Sequence, residues 1–337
     1  MPFGHMPNKG QAASPHPASQ IIETHFIVNP RAGKGRAVKE LDQARVLLRE
    51  LFPEHRVLET KGPGHAATLA ADSLQAGCSR IVAVGGDGTL NEIVNGLLQA
   101  GQAWPPSFGL GVVAAGTGMD FVRTLGLPSH IPRGLEVLPR CRPKAIDVGE
   151  VSFLDFEGRP VRRFFLNVAS LGISAGIAHR ANERGKPLQG RFAFVSHAVR
   201  ALLTWRNQRI QYQFDQEEMQ EGLMKVIAVA NGKFFGGGMC IGPNAEIDDG
   251  WLQSLTVGDM GAWTALWNFP KLFGKREISH PLANYGRCRR LHVRSEETVY
   301  LELDGEQPGT LPATIEIRPA ALPFLIPEDA KTSTQPA

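Results

Sequence analysis

The stretch with the clearest potential for chemistry is a glycine-rich turn, GGDGT, at residues 85–89. Small residues let backbone N–H groups approach an anion closely, and the positive end of a following helix dipole favours negative charge. Asp87 lies at the apex of the turn, where a carboxylate can hold Mg²⁺ or orient a reacting group. A phosphate-bearing ligand is therefore the first hypothesis, and an ordinary turn between a strand and a helix is the alternative.

The residues on either side predict how this turn is positioned. Residues 81–84 are an apolar run of strand-forming residues, typical of a buried parallel strand. Thr89 and Glu92 have the spacing of a capping box, which predicts a helix that begins at Thr89. Apolar residues then recur at helical intervals as far as Leu98. The predicted unit is strand, glycine-rich turn, helix.

A second turn of this kind is NPRAGKGR at residues 29–36, between a strand predicted at 24–28 and a helix predicted at 37–51. It is not a Walker A loop, because Val28 and Gly35 stand where that pattern needs Gly and Ser or Thr. Its three cations allow two interpretations, a second phosphate-binding wall or a basic surface turn.

A third turn lies in GTGMDFVR at residues 116–123, after a buried strand predicted at 109–114. Three strand–glycine–helix junctions predict an α/β layer with a parallel sheet. Ligands of such sheets bind at the carboxyl ends of the strands, where these turns lie. Asp120 thereby becomes a candidate second acid facing Asp87. Between the first two junctions, the sequence predicts a strand at 56–59 and a helix at 65–75.

From residue 145 onward the sequence favours strands, after a predicted linker at 139–143. The strand candidates are residues 146–153, 162–169, 225–231, 253–257, 290–293, 298–303 and 314–318. With few helices between them, they predict a mainly antiparallel second domain. One helix is predicted at 192–205. Residues 262–273 form an aromatic stretch followed by Lys275 and Arg276, which fits either a membrane-interface helix or a core helix interrupted by Pro270.

Two acidic clusters stand out in this half. Closely spaced acids at residues 246–251 suit a hard cation, although a solvated turn has the same composition. Asp304 and Glu306 follow a predicted strand, where a carboxylate can act as a general base. A plain Asp-Gly hairpin turn is the competing interpretation.

Composition limits the function classes. The 337 residues suffice for two domains, and the charged fraction of 20% is ordinary for a globular protein. A formal charge of +3 suits an anionic ligand or membrane surface, and the dispersed basic residues without a recognition motif argue against nucleic acid. Four scattered cysteines argue against a zinc site or disulfides and fit a reducing cytoplasm. No membrane-spanning run or signal peptide is expected, and residues 1–23 and 328–337 are predicted to be disordered or loose tails.

Taken together, these motifs resemble the bacterial diacylglycerol/lipid kinase family, whose catalytic domain is shared with diacylglycerol, sphingosine and ceramide kinases. The similarity runs from about residue 24 to residue 327. The matching segments are NPRAGKGR at 29–36, Thr60 with GHA at 64–66, GGDGTLNEIVNGL at 85–97, GTGMDFVR at 116–123, IDVG at 146–149, FLNVASLG at 165–172, ANGKFFGGG at 230–238, PNAEIDDGWL at 243–252 and LDGE at 303–306. NAD kinases and phosphofructokinases use a turn like GGDGT, but the ordered series is specific.

The resemblance implies an α/β nucleotide-binding domain with a parallel sheet at 24–144, to which a segment at 308–327 returns. It also implies a mainly antiparallel β-sandwich domain for the lipid substrate at 145–307, with ATP in the cleft between the domains. The activity it implies is that of an ATP-dependent lipid kinase, which transfers the γ-phosphate of ATP to the hydroxyl of a lipid such as diacylglycerol and uses Mg²⁺.

The resemblance further implies roles for individual residues. Contacts with ATP are expected from Asn29, Pro30, Arg31, Ala32, Gly33, Thr60, Gly86, Asp87, Gly88, Thr89, Leu90, Asn91, Glu92 and Thr117. Asp87 and Asp120 belong to a network of acids, water and Mg²⁺ at the phosphates, and Glu306 is the proton acceptor. A second metal site takes the Asp249 side chain and the backbone carbonyls of Glu246 and Trp251.

The expected partners are ATP and a lipid at a membrane surface, with a cytoplasmic location, peripheral contact at the inner membrane face and no nucleic acid. Homodimer formation is left open. One residue departs from the family pattern, since Met119 stands where the family has Asn and cannot make the polar contacts of an amide. Two alternatives therefore stay open: a kinase of a soluble acceptor such as NAD, and a regulator that binds nucleotide or lipid without transferring phosphate.

Overall fold

The first four strands form a parallel sheet. The computed structural model describes residues 23–101, 103–115, 119–176 and 199–328. The strands are β1 (Thr24–Val28), β2 (His55–Glu59), β3 (Arg80–Gly85) and β4 (Gly109–Ala114), in the spatial order β4-β3-β1-β2. Every pair in this group runs parallel, which confirms the predicted α/β layer.

Six helices cover this sheet on both faces. They are α1 (Arg36–Gln43), α2 (Arg45–Leu51), α3 (His65–Gln75), α4 (Asp87–Gln99), α5 (Asp120–Thr124) and α6 (Ile131–Val137), with 3-10 turns at Ala32–Gly35 and Leu138–Arg140. Successive strand side chains point to opposite faces. Ile27 and Ile81 accordingly pack with α3 and α4, while Phe26 and Val82 pack with α1, α2 and α6. Burial on both faces explains why these strands read as continuous apolar runs.

Two predicted helix boundaries were wrong. The helix predicted at 37–51 is divided at Ala44, whose φ of −89° and ψ of 9° separate α1 from α2. The helix predicted to begin at Thr89 begins at Asp87, after Gly86 as N-cap. Glu92 does not close a capping box, because its Oε2 accepts the N–H of Ala66 in the first turn of α3 over 3.2 Å. The Glu92 carboxylate, which the local pattern assigned to the N-terminus of α4, therefore makes a tertiary contact with α3 instead.

The second half of the chain is built from antiparallel strands. These are β5 (Cys141–Leu154), β6 (Pro160–Phe165), β7 (Val168–Gly172), β8 (Gln208–Phe214), β9 (Gln220–Met224), β10 (Val226–Ala230), β11 (Phe234–Phe235), β12 (Met239–Cys240), β13 (Leu252–Val257), β14 (Ala283–Cys288), β15 (Arg290–Arg294), β16 (Tyr300–Leu303) and β17 (Glu306–Pro327). Their pairs with one another are antiparallel, as predicted. Side chains from both layers, such as Val151, Leu171, Ile227 and Leu291, share one buried core, which makes this half a β-sandwich. The strand predicted at 162–169 is two strands, β6 and β7.

The long strand β17 connects the two halves. It pairs with β16, β15 and β5 along its length, and near its end Phe324 lies beside Leu110 of β4 in parallel orientation. The predicted linker at 139–143 was wrong, because Cys141 already starts β5 and Pro143 pairs with Leu325 of β17. The returning strand supplies the backbone partners that make this segment regular. Since β5 and β17 run through residues 144 and 308, the predicted domain boundaries stay a prediction.

The aromatic stretch at 262–273 forms a helix, α7 (Ala262–Asn268), and a 3-10 turn at Phe269–Phe273. The core-helix alternative does not fit the whole stretch, because Trp263 and Trp267 are exposed while Ala265 and Asn268 are buried. The membrane-interface alternative stays a prediction. Residues 199–204 are helical, as predicted for their part of 192–205, whose first seven residues lie outside the described part of the chain. Within the described ranges, no helix combines the length and apolarity needed to cross a membrane.

Candidate active site

The turns after β1, β3 and β4 meet at one edge of the parallel sheet, at the carboxyl ends of these strands. The backbone N–H of Asn29 donates to the Val84 carbonyl over 3.0 Å, and Asn29 Nδ2 donates to Thr89 Oγ1 over 3.1 Å. The N–H of Ala115 donates to the Gly85 carbonyl over 3.0 Å. The turns that the sequence singled out are therefore parts of one surface, since the first and third both bond to the strand–turn–helix unit that contains Asp87.

Gly33 brings the first turn against the end of β4. Its φ of 58° is left-handed, and a Cβ at this position would lie 3.3 Å from the Ala115 carbonyl oxygen. Glycine adopts this conformation at little cost, whereas an L side chain would be strained. Lys34 and Gly35 are also left-handed, with φ of 62° and 84°. The surface of the first turn is therefore formed largely by backbone groups.

Asp87 joins the second turn to the third. Its Oδ2 accepts the N–H of Asp120 over 2.8 Å, and its Oδ1 accepts the N–H of Phe121 over 3.2 Å, so the carboxylate caps the first turn of α5. Burial raises the pKa of Asp87 to about 7, and the neighbouring carboxylates Asp120 and Asp304 add to this increase. A bound cation would oppose that increase and favour the ionised form.

Asp120 is buried and faces the same edge. Its Oδ1 contacts the guanidinium of Arg123, and its Oδ2 accepts the N–H of Gly237 over 2.8 Å. Burial raises the pKa of Asp120, while these donors oppose the increase. Gly237 belongs to the glycine run of ANGKFFGGG, so Asp120 also ties the α/β half to the second half.

Asp304 lies in the hairpin turn between β16 and β17, with a φ of 48°. Its carboxylate accepts four hydrogen bonds: Leu166 N–H over 2.8 Å, Asn167 N–H over 2.9 Å, Val168 N–H over 3.0 Å and Asn91 Nδ2 over 2.9 Å. Both interpretations of this motif are therefore partly right, since the residues form a tight turn and also reach the site. With so many donors, the carboxylate of Asp304 holds the turn in place and is poorly available as a base.

The Glu306 carboxylate is less constrained by hydrogen bonds than that of Asp304. Its side chain is half exposed, and its Oε2 lies 3.3 Å from Nη1 of Arg163. A Cβ on Gly88 would lie 3.8 Å from Glu306 Oε1, so the carboxylate stands directly over the GGDGT turn. Desolvation raises the pKa of Glu306, Arg163 opposes the increase, and the Glu92 and Asp304 carboxylates add to it.

Glu302 is a buried acid in this region that sequence reasoning missed. Ser170 Oγ donates to its Oε2, and the N–H of Gly305 donates to its Oε1 over 2.5 Å. Burial raises the pKa of Glu302 to about 7, with contributions from Asp304 and Asp120. We call Asp87, Asp120, Glu302, Asp304 and Glu306 the central acidic cluster. An acid inside a strand of alternating apolar residues was the available signal, but only the fold shows that both strand faces are buried.

Helix α4 fixes the cluster to the sandwich. Asn91 Nδ2 donates to the carbonyl of Phe164 over 3.1 Å as well as to Asp304. Asn95 Oδ1 accepts the N–H of Phe164 over 2.9 Å, and its Nδ2 donates to the same residue's carbonyl over 2.9 Å. The side chains of Asn91 and Asn95 therefore bond to the backbone of β6 in the second half of the chain. Sequence reasoning assigned Asn91 to ATP and overlooked Asn95.

Some of the residues predicted to contact ATP lie at the site, and others are buried in the core or bonded to another helix. The first turn of α4 exposes Gly88 at the cluster, whereas Leu90 is buried in the core and Glu92 bonds to α3. Thr60 follows β2, and its N–H donates to the Val28 carbonyl over 2.9 Å, next to the first turn. Arg31 is exposed within that turn, between Pro30 and Ala32. Thr117 lies outside the described residues.

A cavity of about 390 Å³ opens beside this edge. Its walls include Arg36, Ala115, Met119, Arg123 and His130. The buried Met119 side chain thus contributes an apolar patch to the wall where the family pattern has an amide. The cavity therefore provides open volume next to the glycine-rich turn at residues 29–36.

The second acidic cluster, the 246–251 turn, has a different environment. Asp249 Oδ1 accepts the N–H of Trp251 over 3.0 Å, and its Oδ2 contacts Arg287. Asp248 contacts Lys144. Burial raises the pKa of Asp249, Trp251 N–H and Arg287 oppose the increase, and Glu246 adds to it. Across the described residues, no three His, Cys, Asp or Glu side chains converge as a metal site, so the metal ligands predicted here stay a prediction.

Comparison with known protein families gives a match for each half of the chain. Residues 23–151 match the family model of the diacylglycerol kinase catalytic domain, and residues 167–326 match the model of the YegS C-terminal NAD kinase beta sandwich-like domain. A diacylglycerol kinase of Staphylococcus saprophyticus is 27% identical over 308 residues, which cover 91% of this chain and 96% of that protein.

Two solved structures share the fold. The crystal structure of a diacylglycerol kinase from Bacillus anthracis is similar at a TM-score of 0.70 and 23% identity, over 93% of this chain and all of that chain. Yeast NADH kinase in complex with NADH is similar at a TM-score of 0.52 and 12% identity, over 91% of this chain and 84% of that chain. At these identities the two likenesses concern the fold alone.

Proposed function

Because the chain belongs to the diacylglycerol kinase family, we propose that it transfers the γ-phosphoryl group of ATP to the hydroxyl of a lipid, with diacylglycerol as the expected acceptor. The observation that carries this proposal is the position of Asp87. It stands in a glycine-rich turn at a helix start, and its carboxylate accepts the backbone N–H groups of Asp120 and Phe121. Phosphoryl transfer depends mainly on positioning and charge neutralisation, and this edge offers groups for both.

The turns at this edge would bind the triphosphate. The N–H groups of Gly86–Thr89 precede the first intrahelical bond of α4, from Leu90 N–H to the Gly86 carbonyl, and are suited to phosphate oxygens. In the first turn, Asn29, Arg31 and Ala32 use their N–H groups inside the protein, so contacts from Asn29–Gly33 would come from side chains and from Gly33. Thr60 would add a contact beside the first turn, and a contact from Thr117 is proposed from the family resemblance alone. The family implies ATP as the phosphate donor.

We propose a divalent cation at Asp87 and Asp120, where the phosphates would supply further ligands, since no three acidic side chains of the described residues converge as a metal site. The central acidic cluster crowds carboxylates together, and the crowding contributes to the raised pKa of Asp87. Mg²⁺, when bound here, would offset the negative charge of the phosphates and of the transition state. Asp87 and Asp120 would hold it. For the 246–251 turn we propose a second, structural cation, held by the Asp249 carboxylate and the carbonyls of Glu246 and Trp251.

Glu306 is proposed as the proton acceptor. As the lipid oxygen bonds to the γ-phosphorus, the bond to the bridging oxygen of ADP breaks and the hydroxyl proton passes to the Glu306 carboxylate. Its half-exposed position over Gly88 gives it access to an incoming hydroxyl, and Arg163 favours its ionised form. Asp304 is less suited to this role, because four donors occupy its oxygens.

The proposal is tested with γ-labelled ATP, Mg²⁺ and pure diacylglycerol, followed by thin-layer separation of the lipids. Labelled phosphatidic acid is the expected product. A parallel reaction with NAD tests the soluble-acceptor alternative, and a total lipid extract tests other lipid acceptors. ATP binding without transfer to any acceptor would instead identify a regulator and remove the kinase function. We further propose that the protein works in the cytoplasm at the surface of the membrane, where its substrate lies.

A further inference from the structure

Helix α7 presents two tryptophans to solvent. Trp263 is 77% exposed and Trp267 is 83% exposed, and these are the two most exposed large hydrophobic side chains among the described residues. They are four residues apart on one helix and therefore lie on the same face. The opposite face is buried, since Ala265 and Asn268 are covered and Ala265 packs with the apolar cluster outside β7 and β10.

This exposure is not required by the fold. The helix is already anchored by its inner face and by Leu266, Phe269 and Leu272, which pack on the same cluster. Exposed indole rings lose the free energy of burial, and grouped exposed apolar side chains on a protein surface usually mark a contact site. The two tryptophans are thus available to a partner.

The charges around the tryptophans indicate the kind of partner. The segment 261–276 contains three cations and no acid, and Lys271, Lys275 and Arg276 are all exposed. The flanking acids, Glu277 and Asp259, accept amide donors from Asn244 over 2.9 Å and from Asn207 over 2.6 Å, and residues 259–277 keep a net positive charge. Indole rings favour the boundary between lipid headgroups and acyl chains, and nearby cations favour anionic phosphate groups.

We propose that the outward face of α7 and the following turn is the surface on which this protein docks to an anionic lipid bilayer. This inference rests on the proposed lipid kinase function and adds to it the surface that meets the membrane. Trp263 and Trp267 enter the headgroup region, and Lys271, Lys275 and Arg276 contact lipid phosphates. The face belongs to the sandwich half, on the strand path β13-β10-β7-β16 that leads to the turn of Asp304 and Glu306.

The test is binding to sedimented vesicles without ATP, which separates docking from catalysis. The parent protein is expected to bind vesicles of phosphatidylcholine with phosphatidylglycerol more tightly than phosphatidylcholine alone. The double variant Trp263→Ala/Trp267→Ala should bind about tenfold or more weakly. Lys275→Ser and Arg276→Ser should each weaken binding to the anionic vesicles about fivefold. Phe156→Ala is the matched control, because Phe156 is a 57% exposed aromatic on another turn, and it should bind like the parent.

A second measurement distinguishes this inference from the kinase function. With diacylglycerol dispersed in neutral detergent micelles, the double tryptophan variant should keep the parent's turnover within about twofold, because its site is unchanged. Vesicle binding that is equal in the parent and the double variant would overturn the docking surface. A concentration-dependent dimer that only the parent forms, with vesicle binding unchanged, would assign the face to a second copy and also overturn it. Tryptophan-dependent vesicle binding in a protein without any kinase activity would leave the docking surface standing and remove the proposed function.

Discussion

The central acidic cluster and the 246–251 turn both group several acids, but they differ in how their charge is compensated. In the turn, Asp248 and Asp249 each contact a cation, Lys144 or Arg287. In the cluster, cations contact Asp120 and Glu306, which meet Arg123 and Arg163, while among the described residues none contacts Asp87 or Asp304, and burial raises the pKa of both. The charge of the cluster is therefore only partly compensated by cations. The difference supports the proposal that catalysis belongs to the cluster and a structural role to the turn.

The largest expected effect comes from removing the acid at the centre of the cluster. Asp87→Ala should lower phosphate transfer by at least about 10³-fold, because it removes charge where the phosphates and cation are proposed to bind. Initial rates with labelled ATP measure this. Asp215→Ala is the matched control, since Asp215 likewise accepts two successive backbone N–H groups, those of Arg289 and Arg290, outside the site. If the folded Asp87 variant kept the parent rate, the cluster would lose its proposed role.

The next effect tests the proton acceptor. Glu306→Gln should lower turnover by about 10²-fold while the KM for ATP changes little, as expected for the loss of a general base. Because the base acts when deprotonated, turnover of the parent should rise with pH through the raised pKa of Glu306, and the variant should lack this rise.

A matched control for this variant is Glu316→Gln. Glu316 is a strand carboxylate contacted by Arg290 Nε over 2.5 Å, away from the cluster, and its replacement should leave turnover unchanged. An unaltered pH profile in the Glu306 variant would assign the proton to another group, with Asp304 the nearest candidate.

A stability effect should follow from the buried acid that the sequence did not reveal. The pKa of Glu302 is about 7 in the folded state, against about 4.3 when unfolded. The folded state then binds the proton more tightly, so this contribution to stability is complete below the unfolded value and is lost as the pH rises to the folded value. Glu302→Gln mimics the protonated acid.

Urea unfolding at several pH values measures this effect. The free energy of unfolding of Glu302→Gln relative to the parent should increase from pH 4 to pH 8 by up to about 3 kcal/mol. A difference that stays constant over this range would show that Glu302 does not titrate between the two states.

The smallest effect concerns the turn. If the 246–251 turn takes a structural cation, Mg²⁺ should raise the Tm of the parent by a few degrees and raise that of Asp249→Asn less, since a ligand stabilises only the state that binds it. Differential scanning calorimetry with and without Mg²⁺ measures this, with Asp155→Asn in an exposed hairpin as control. If Mg²⁺ raised the Tm of both proteins equally, the proposed cation site would be wrong. The ion pair with Arg287 would then account for the position of Asp249.

Local pattern predicted the elements of the α/β half well because its strands are buried on both faces. β1, β4 and α3 have the predicted bounds, and β2 and β3 differ at their ends only. The sandwich was predicted less completely. β8, β9 and β14 were missed, since each has residues exposed on the outer face and lacks an apolar run. The single helix predicted at 37–51 and the linker predicted at 139–143 were wrong, the latter because the returning β17 pairs with this segment.

The sequence by itself determined the fold class, the glycine-rich turns and most of the acids at the site, because strand periodicity and turn residues act over a few neighbours. Only the tertiary structure decided which acids are free to react. Asp304 and Glu306 are two residues apart, yet one is held by four donors from distant segments and the other stands half exposed over Gly88. The availability of a carboxylate depends on which backbone N–H groups reach it, and those groups come from parts of the chain that meet only after folding.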